Sequence, residues 1–120
     1  MPRERPLVLV VEDDDAIRLP LEKFLRLHGF DTTSATTADQ ALDLIARGLP
    51  DAAIVDLRLP QGSGRDVVVS IPPPTPVVIF SGVPQDADSL DRLRPHTRLV
   101  LKPFSLVMLV ETVKKMLGKR

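Results

Sequence analysis

At 120 residues the chain is long enough for one domain with a real hydrophobic core and too short for two. Sixteen basic and sixteen acidic residues cancel, which excludes a long-range field favouring nucleic acid or an anionic membrane surface. The absence of cysteine excludes disulfides and thiolate metal sites, and with neither Trp nor Tyr and only four Phe the composition argues against a base-stacking platform. The apolar run Leu7–Val11 is far too short for a signal-peptide core or a membrane span, so a soluble, cytoplasmic protein is the expectation.

In chain order, Leu7–Val11 has no polar alternation, as expected of a central parallel strand, and it runs into Glu12 and Asp13. Asp14 or Asp15 caps a first helix that reaches about His28, with Ile17, Leu21, Phe24 and Leu25 on its apolar face and Gly29 as its stop. Pro20 inside that helix removes one backbone hydrogen bond, which predicts a kink or an irregular first turn. Phe30–Ala35 is polar enough for an edge strand. Thr37-Ala38-Asp39-Gln40 fits a capping box, and Ala41, Leu42 and Ile45 mark the buried side of the helix behind it, up to Gly48.

Ala53, Ile54 and Val55 read as a strand buried on both faces that ends in Asp56. A flexible Gln61–Gly64 turn leads to Arg65–Ile71, where Val67-Val68-Val69 is a poor helix former. The proline run 72–76 is a stiff connector into the strand Pro76–Phe80, which ends at Ser81. A short helix over Asp86–Leu93 stops at Pro95; His28 and His96 are isolated surface or boundary residues. Leu99–Leu101 is the fifth strand, ending at Lys102, and Ser105 caps a last helix through Leu117. On that helix Leu106, Leu109, Val110, Val113 and Leu117 form the stripe facing the sheet, leaving Val107 and Met108 off it. Five strand–helix pairs occupy residues 1–120 and leave nothing for a second domain.

The strand ends therefore carry Glu12, Asp13, Asp56, Ser81 and Lys102. In open parallel α/β sheets, ligands bind outside the carboxyl ends of the strands, near the switch in strand order. Taken singly, each residue has a plainer reading: helix-start acids, a Ser-Gly turn, a solvated loop lysine. Their joint occurrence at four strand ends points to a site. Three carboxylates brought together repel one another, and Lys102 offsets only one charge. A divalent cation of the Mg²⁺ type, which prefers oxygen donors and often shares its site with a phosphoryl group, would supply the rest. A carboxylate can also serve as a nucleophile toward phosphorus, with Ser81 and Lys102 contacting phosphoryl oxygens.

VVEDDDAIR (Val10–Arg18), IVDLRLP (Ile54–Pro60), VVIFSG (Val77–Gly82) and LVLKPF (Leu99–Phe104), in this order along the whole chain, resemble the receiver domain of bacterial two-component response regulators. The resemblance implies a flavodoxin-like (βα)5 sandwich, a parallel sheet of order 2-1-3-4-5. By position, Asp56 matches the phosphoacceptor, and Glu12 and Asp13 match the acid pair that holds Mg²⁺ together with Asp56. Arg58 stands where a backbone carbonyl completes the metal shell, Ser81 matches the hydroxyl switch residue, and Lys102 the phosphoryl-contacting lysine. Lys102–Pro103 is similar to a peptide bond that the family holds in cis. The implied partner is a histidine kinase or histidine phosphotransfer protein. An unknown output protein or domain would bind the face made by the fourth helix, fifth strand and fifth helix, and a homodimer is admitted. Neither direct nucleic-acid binding nor membrane contact is implied. Aspartyl phosphate would then be reset by slow hydrolysis, a signalling switch rather than an enzyme.

Two departures stand out. The 25 positions from Asp56 to Ser81 predict a short third helix, and Leu99 replaces an expected aromatic residue, which removes the rotating ring from the switch. Two other readings compete. A pseudo-receiver would bind partners without phosphorylation, which five retained site residues oppose. A haloacid dehalogenase-type hydrolase needs a second acid two residues after its nucleophile, where this chain has Arg58.

Overall fold

Five short parallel strands form one sheet in the computed structural model, which describes residues 4–82, 90–101 and 105–118. They are β1 (Leu7–Val11), β2 (Asp31–Ala35), β3 (Ala52–Asp56), β4 (Val77–Ser81) and β5 (Thr97–Leu101), and they lie in the order β2-β1-β3-β4-β5. The chain first builds outward from β1 to β2 and then adds β3, β4 and β5 on the other side. The direction thus reverses between β1 and β3, the switch point at which open α/β sheets bind ligands. The fold is the flavodoxin-like one implied by the motifs.

The helices are α1 (Asp15–Leu27), α2 (Ala38–Arg47), α3 (Gly64–Ser70), α4 (Leu90–Leu93) and α5 (Leu106–Gly118). Because strand side chains alternate, each central strand feeds two cores. Val8, Val10, Ile54, Val78 and Phe80 pack against Leu21 and Leu25 of α1 and Leu109, Val110 and Val113 of α5. Leu9, Val11, Ala53, Val55, Val77 and Ile79 pack against Ala38 and Ala41 of α2, Val67 and Val68 of α3, and Leu90. Burying a Val or Leu side chain contributes about 1.5–3 kcal/mol, so two filled layers fix strand register firmly. No helix among the described residues is long and apolar enough to cross a membrane.

Several expectations need adjustment. Helix α1 runs unbroken through Pro20, and its first turn is regular: Ile17 and Arg18 N–H both reach the Asp14 carbonyl. Pro20 and Ala16, whose carbonyl loses its donor, are both exposed, so water can satisfy the orphan group. At α2, Thr37 Oγ1 accepts from Gln40 N–H, but the Gln40 side chain returns to Thr36 N–H rather than to Thr37. Leu44, not Leu42, joins Ile45 on the core side of α2. On α5, Met116 is buried alongside the expected stripe. Strand β5 starts two residues early, at Thr97, and only its Val100 is buried, because it is an edge strand.

Candidate functional site

Strand β1 is buried to its end, and Glu12 N–H extends the ladder one residue further by donating to Ala35 O. The Glu12 carboxylate then folds back, Oε2 accepting from Asp14 N–H at 3.2 Å. Asp14 caps α1 by accepting from Ala16 N–H at 2.9 Å. Asp13 therefore stands between a buried acid and a helix cap, exposed at the sheet's carboxyl edge. Since Val11 is in register with Val55, the next residues, Glu12 and Asp56, sit side by side across the switch point. One carboxylate oxygen each of Glu12, Asp13 and Asp56 lies within 4.8 Å of the others. Glu12 and Asp56 are buried.

Asp56 is the last residue of β3, and its Oδ1 accepts from Arg58 N–H at 3.0 Å, an Asx turn that starts the loop to α3. Gly64 closes that loop: its N–H donates to Leu57 O at 3.3 Å. A Cβ on Gly64 would stand 2.4 Å from Asp56 O and 2.5 Å from Leu57 Cα, contacts that no real side chain makes. Gly64 thus lets the start of α3 rest directly on the backbone that carries Asp56. Gly64→Ala is expected to cost about 1–3 kcal/mol through forced backbone displacement. Gly48→Ala, with open space around its Cβ, is expected to be nearly neutral. Thermal unfolding of the two variants checks this, and equal melting temperatures would contradict the clash.

Ser81 ends β4, buried, one position beyond Phe80, which is in register with Asp56. Leu101, the residue before Lys102, is in register with Ser81. Lys102 and the Lys102–Pro103 bond lie outside the described residues, as do residues 83–89, which include the first part of the helix expected over Asp86–Leu93. Among the predicted site residues, then, Glu12, Asp13 and Asp56 are brought together, with Ser81 on the neighbouring strand end and Arg58 at the mouth of the Asp56 turn. The donor set of three carboxylates is hard-oxygen chemistry and fits Mg²⁺ in kind. Arg18 was not anticipated: its guanidinium donates to Glu12 O and Asp13 O from inside α1. Nothing in the sequence distinguishes it from a solvated helix arginine.

A 2-1-3-4-5 parallel sheet with an acid cluster at its switch point is the arrangement of a receiver-type signalling domain. The chain belongs to the response regulator receiver domain family, whose model matches residues 8–114. It is similar to the transcriptional regulatory protein PrrA of Mycobacterium tuberculosis, 34% identical over 119 residues that cover 96% of this chain and 51% of that one. The response regulator protein PilR of Pseudomonas aeruginosa is 34% identical over 120 residues, 97% of this chain and 27% of its own. Among solved structures, the signal receiver domain of a Luxo repressor protein from Vibrio parahaemolyticus superposes with a TM-score of 0.82 at 29% identity, covering 96% of this chain and 92% of that one. The chain spans about half the length of the first curated relatives it matches.

Proposed function

We propose that residues 1–120 act as one phosphoacceptor receiver, in which Asp56 takes a phosphoryl group from a phosphohistidine of a kinase or phosphotransfer protein. The observation that carries this is the convergence of Glu12, Asp13 and a buried Asp56 within 4.8 Å at the switch point. An Asp56 oxygen attacks phosphorus, the P–N bond breaks, and the imidazole leaves with the electron pair. Hydrolysis later breaks the phosphoryl P–O bond to Asp56, releasing inorganic phosphate and restoring the carboxylate. Glu12, Asp13, Asp56 and the Arg58 carbonyl would hold Mg²⁺, which when bound neutralises charge on the transferring phosphoryl group. The Asx turn at Arg58 orients the Asp56 carboxylate, and Ser81 and Lys102 are the groups offered to phosphoryl oxygens.

The response would leave through the face of α4, β5 and α5. Leu99 and Leu101 on β5 and Val107 and Met108 on α5 are all exposed, an apolar grouping that suits a partner surface, and Met adapts readily to one. With Leu99 in place of a ring, the coupling would run through the loop after Ser81.

Intact mass after addition of Mg²⁺ and a small acyl-phosphate donor tests the reading. A single phosphoryl adduct is expected. Multiple turnover of phosphate esters would support a hydrolase instead, and no adduct at all would support a binding module that works without phosphorylation.

A further inference from the structure

Arg18 lies one turn inside α1, and helix side chains lean toward the N-terminus, so its guanidinium returns over the β1–α1 loop. Nη1 donates to Glu12 O at 3.2 Å and, more weakly, to Asp13 O at 3.5 Å. Nη2 pairs with Asp15 Oδ1 at 2.5 Å. The Arg18 side chain is only 12% exposed although Asp15 is 72% exposed, so the fork is held in place rather than waving in solvent. One planar group thus ties together the carbonyls of both members of the acid pair and the acid that opens the helix.

We propose that Arg18 is a positioning residue for the cation site. Its fork fixes the Glu12-Asp13 backbone so that the Asp13 carboxylate is presented before the cation arrives. The inference rests on the Mg²⁺ reading of the acid cluster. Two effects of Arg18 oppose each other. Its charge repels a cation, but the charge is matched by Asp15 at hydrogen-bond distance, so the pair is close to neutral seen from the site. Its hydrogen bonds remove loop freedom that binding would otherwise have to freeze, and pre-organisation of this kind strengthens affinity. The balance falls on the side of positioning.

Calorimetric titration of Mg²⁺ at fixed ionic strength, with the parent, Arg18→Gln, Arg18→Lys and Asp13→Ala, tests it. Hydrogen exchange of the residue 13–17 amides without metal supplies a second readout. Arg18→Gln is expected to weaken Mg²⁺ binding about five- to tenfold and to speed exchange in the metal-free loop. Arg18→Lys should recover only part of the affinity, because a point charge cannot span three acceptors. Asp13→Ala marks the level of a lost ligand. Affinity in Arg18→Gln equal to or tighter than the parent would overturn the proposal, as would complete rescue by lysine. A parent that binds no Mg²⁺ would overturn the site reading itself, an outcome distinct from both. Melting temperatures report whether each variant is folded, and a purely structural role would lower them without changing the affinity of the folded protein.

Discussion

Asp56→Asn is expected to take up no phosphoryl group under conditions in which the parent gains one. The substitution keeps the side chain's size and leaves an oxygen to accept from Arg58 N–H, so the Asx turn survives. What disappears is the anionic oxygen that attacks phosphorus and one of the three carboxylates gathered at the switch point. Two ionised carboxylates at about 5 Å repel by roughly 3 kcal/mol at an effective dielectric of 20. Without metal, therefore, Asp56→Asn should melt no lower than the parent, and higher if that repulsion is felt in full. Loss of the adduct together with retained stability would separate the chemical role of Asp56 from any structural one. Full modification of the Asn variant would mean that the phosphoryl group goes elsewhere.

The sheet was legible because parallel strands buried on both faces are uniformly apolar, and the apolar runs of β1, β3, β4 and β5 give way to Glu12, Asp56, Ser81 and Lys102. Leu7–Val11 running into Glu12 and Ala53–Val55 running into Asp56 mark the carboxyl edge without any knowledge of pairing. What was less legible depended on contacts distant in sequence. Leu42 and Leu44 both suit an amphipathic α2, and only the docking of the helix on the sheet selects Leu44. The Gly62-Ser63-Gly64 stretch reads as a flexible turn, yet Gly64 is the first residue of α3 and touches the Asp56 backbone. Val67 and Val68 are weak helix formers whose burial in the core holds α3 together, an instance of tertiary packing overriding propensity. Leu99–Leu101 is as apolar as the central strands, yet Leu99 and Leu101 lie exposed because β5 is an edge strand. Arg94 sits in an Arg-Leu-Arg-Pro context in which nothing in the sequence signals burial.

Arg94 is instead almost wholly buried, and its removal is expected to produce the largest loss of stability of any charged residue described in the fold. Its Nε donates to Ile71 O at 2.7 Å, and Nη1 donates to Pro95 O at 2.8 Å and to His96 O and Thr97 Oγ1 at 3.2 Å. Nη2 donates to Thr75 O. The guanidinium therefore ties the connector before β4 to the turn before β5. The turn includes His96, held at φ 63° with its carbonyl also accepting from Val77 N–H. All of these acceptors are neutral, so burial pushes the Arg94 pKa down to about 10. It remains charged at neutral pH. Because the unfolded chain would hold this proton to still higher pH, desolvation of the charge opposes folding equally at every pH below about 10. Only above that would the opposition fade. The hydrogen bonds must therefore more than offset the desolvation. Arg94→Ala leaves several buried carbonyls without donors and empties the volume of the stem, a loss of about 3–5 kcal/mol, or roughly 10–20 °C in melting temperature. Arg94→Lys keeps the charge and the stem but not the fork, and should lose less. These contacts sit at the amino ends of β4 and β5, opposite the carboxyl edge that carries Asp56 and Ser81. Arg94→Lys, while folded, should accordingly accept a phosphoryl group as the parent does. Denaturation curves of the parent and Arg94→Ala at pH 7 and 9 should show the same deficit, because Arg94 stays charged across that range. A deficit that changed between those two pH values would mean that another titrating group contributes to the cage.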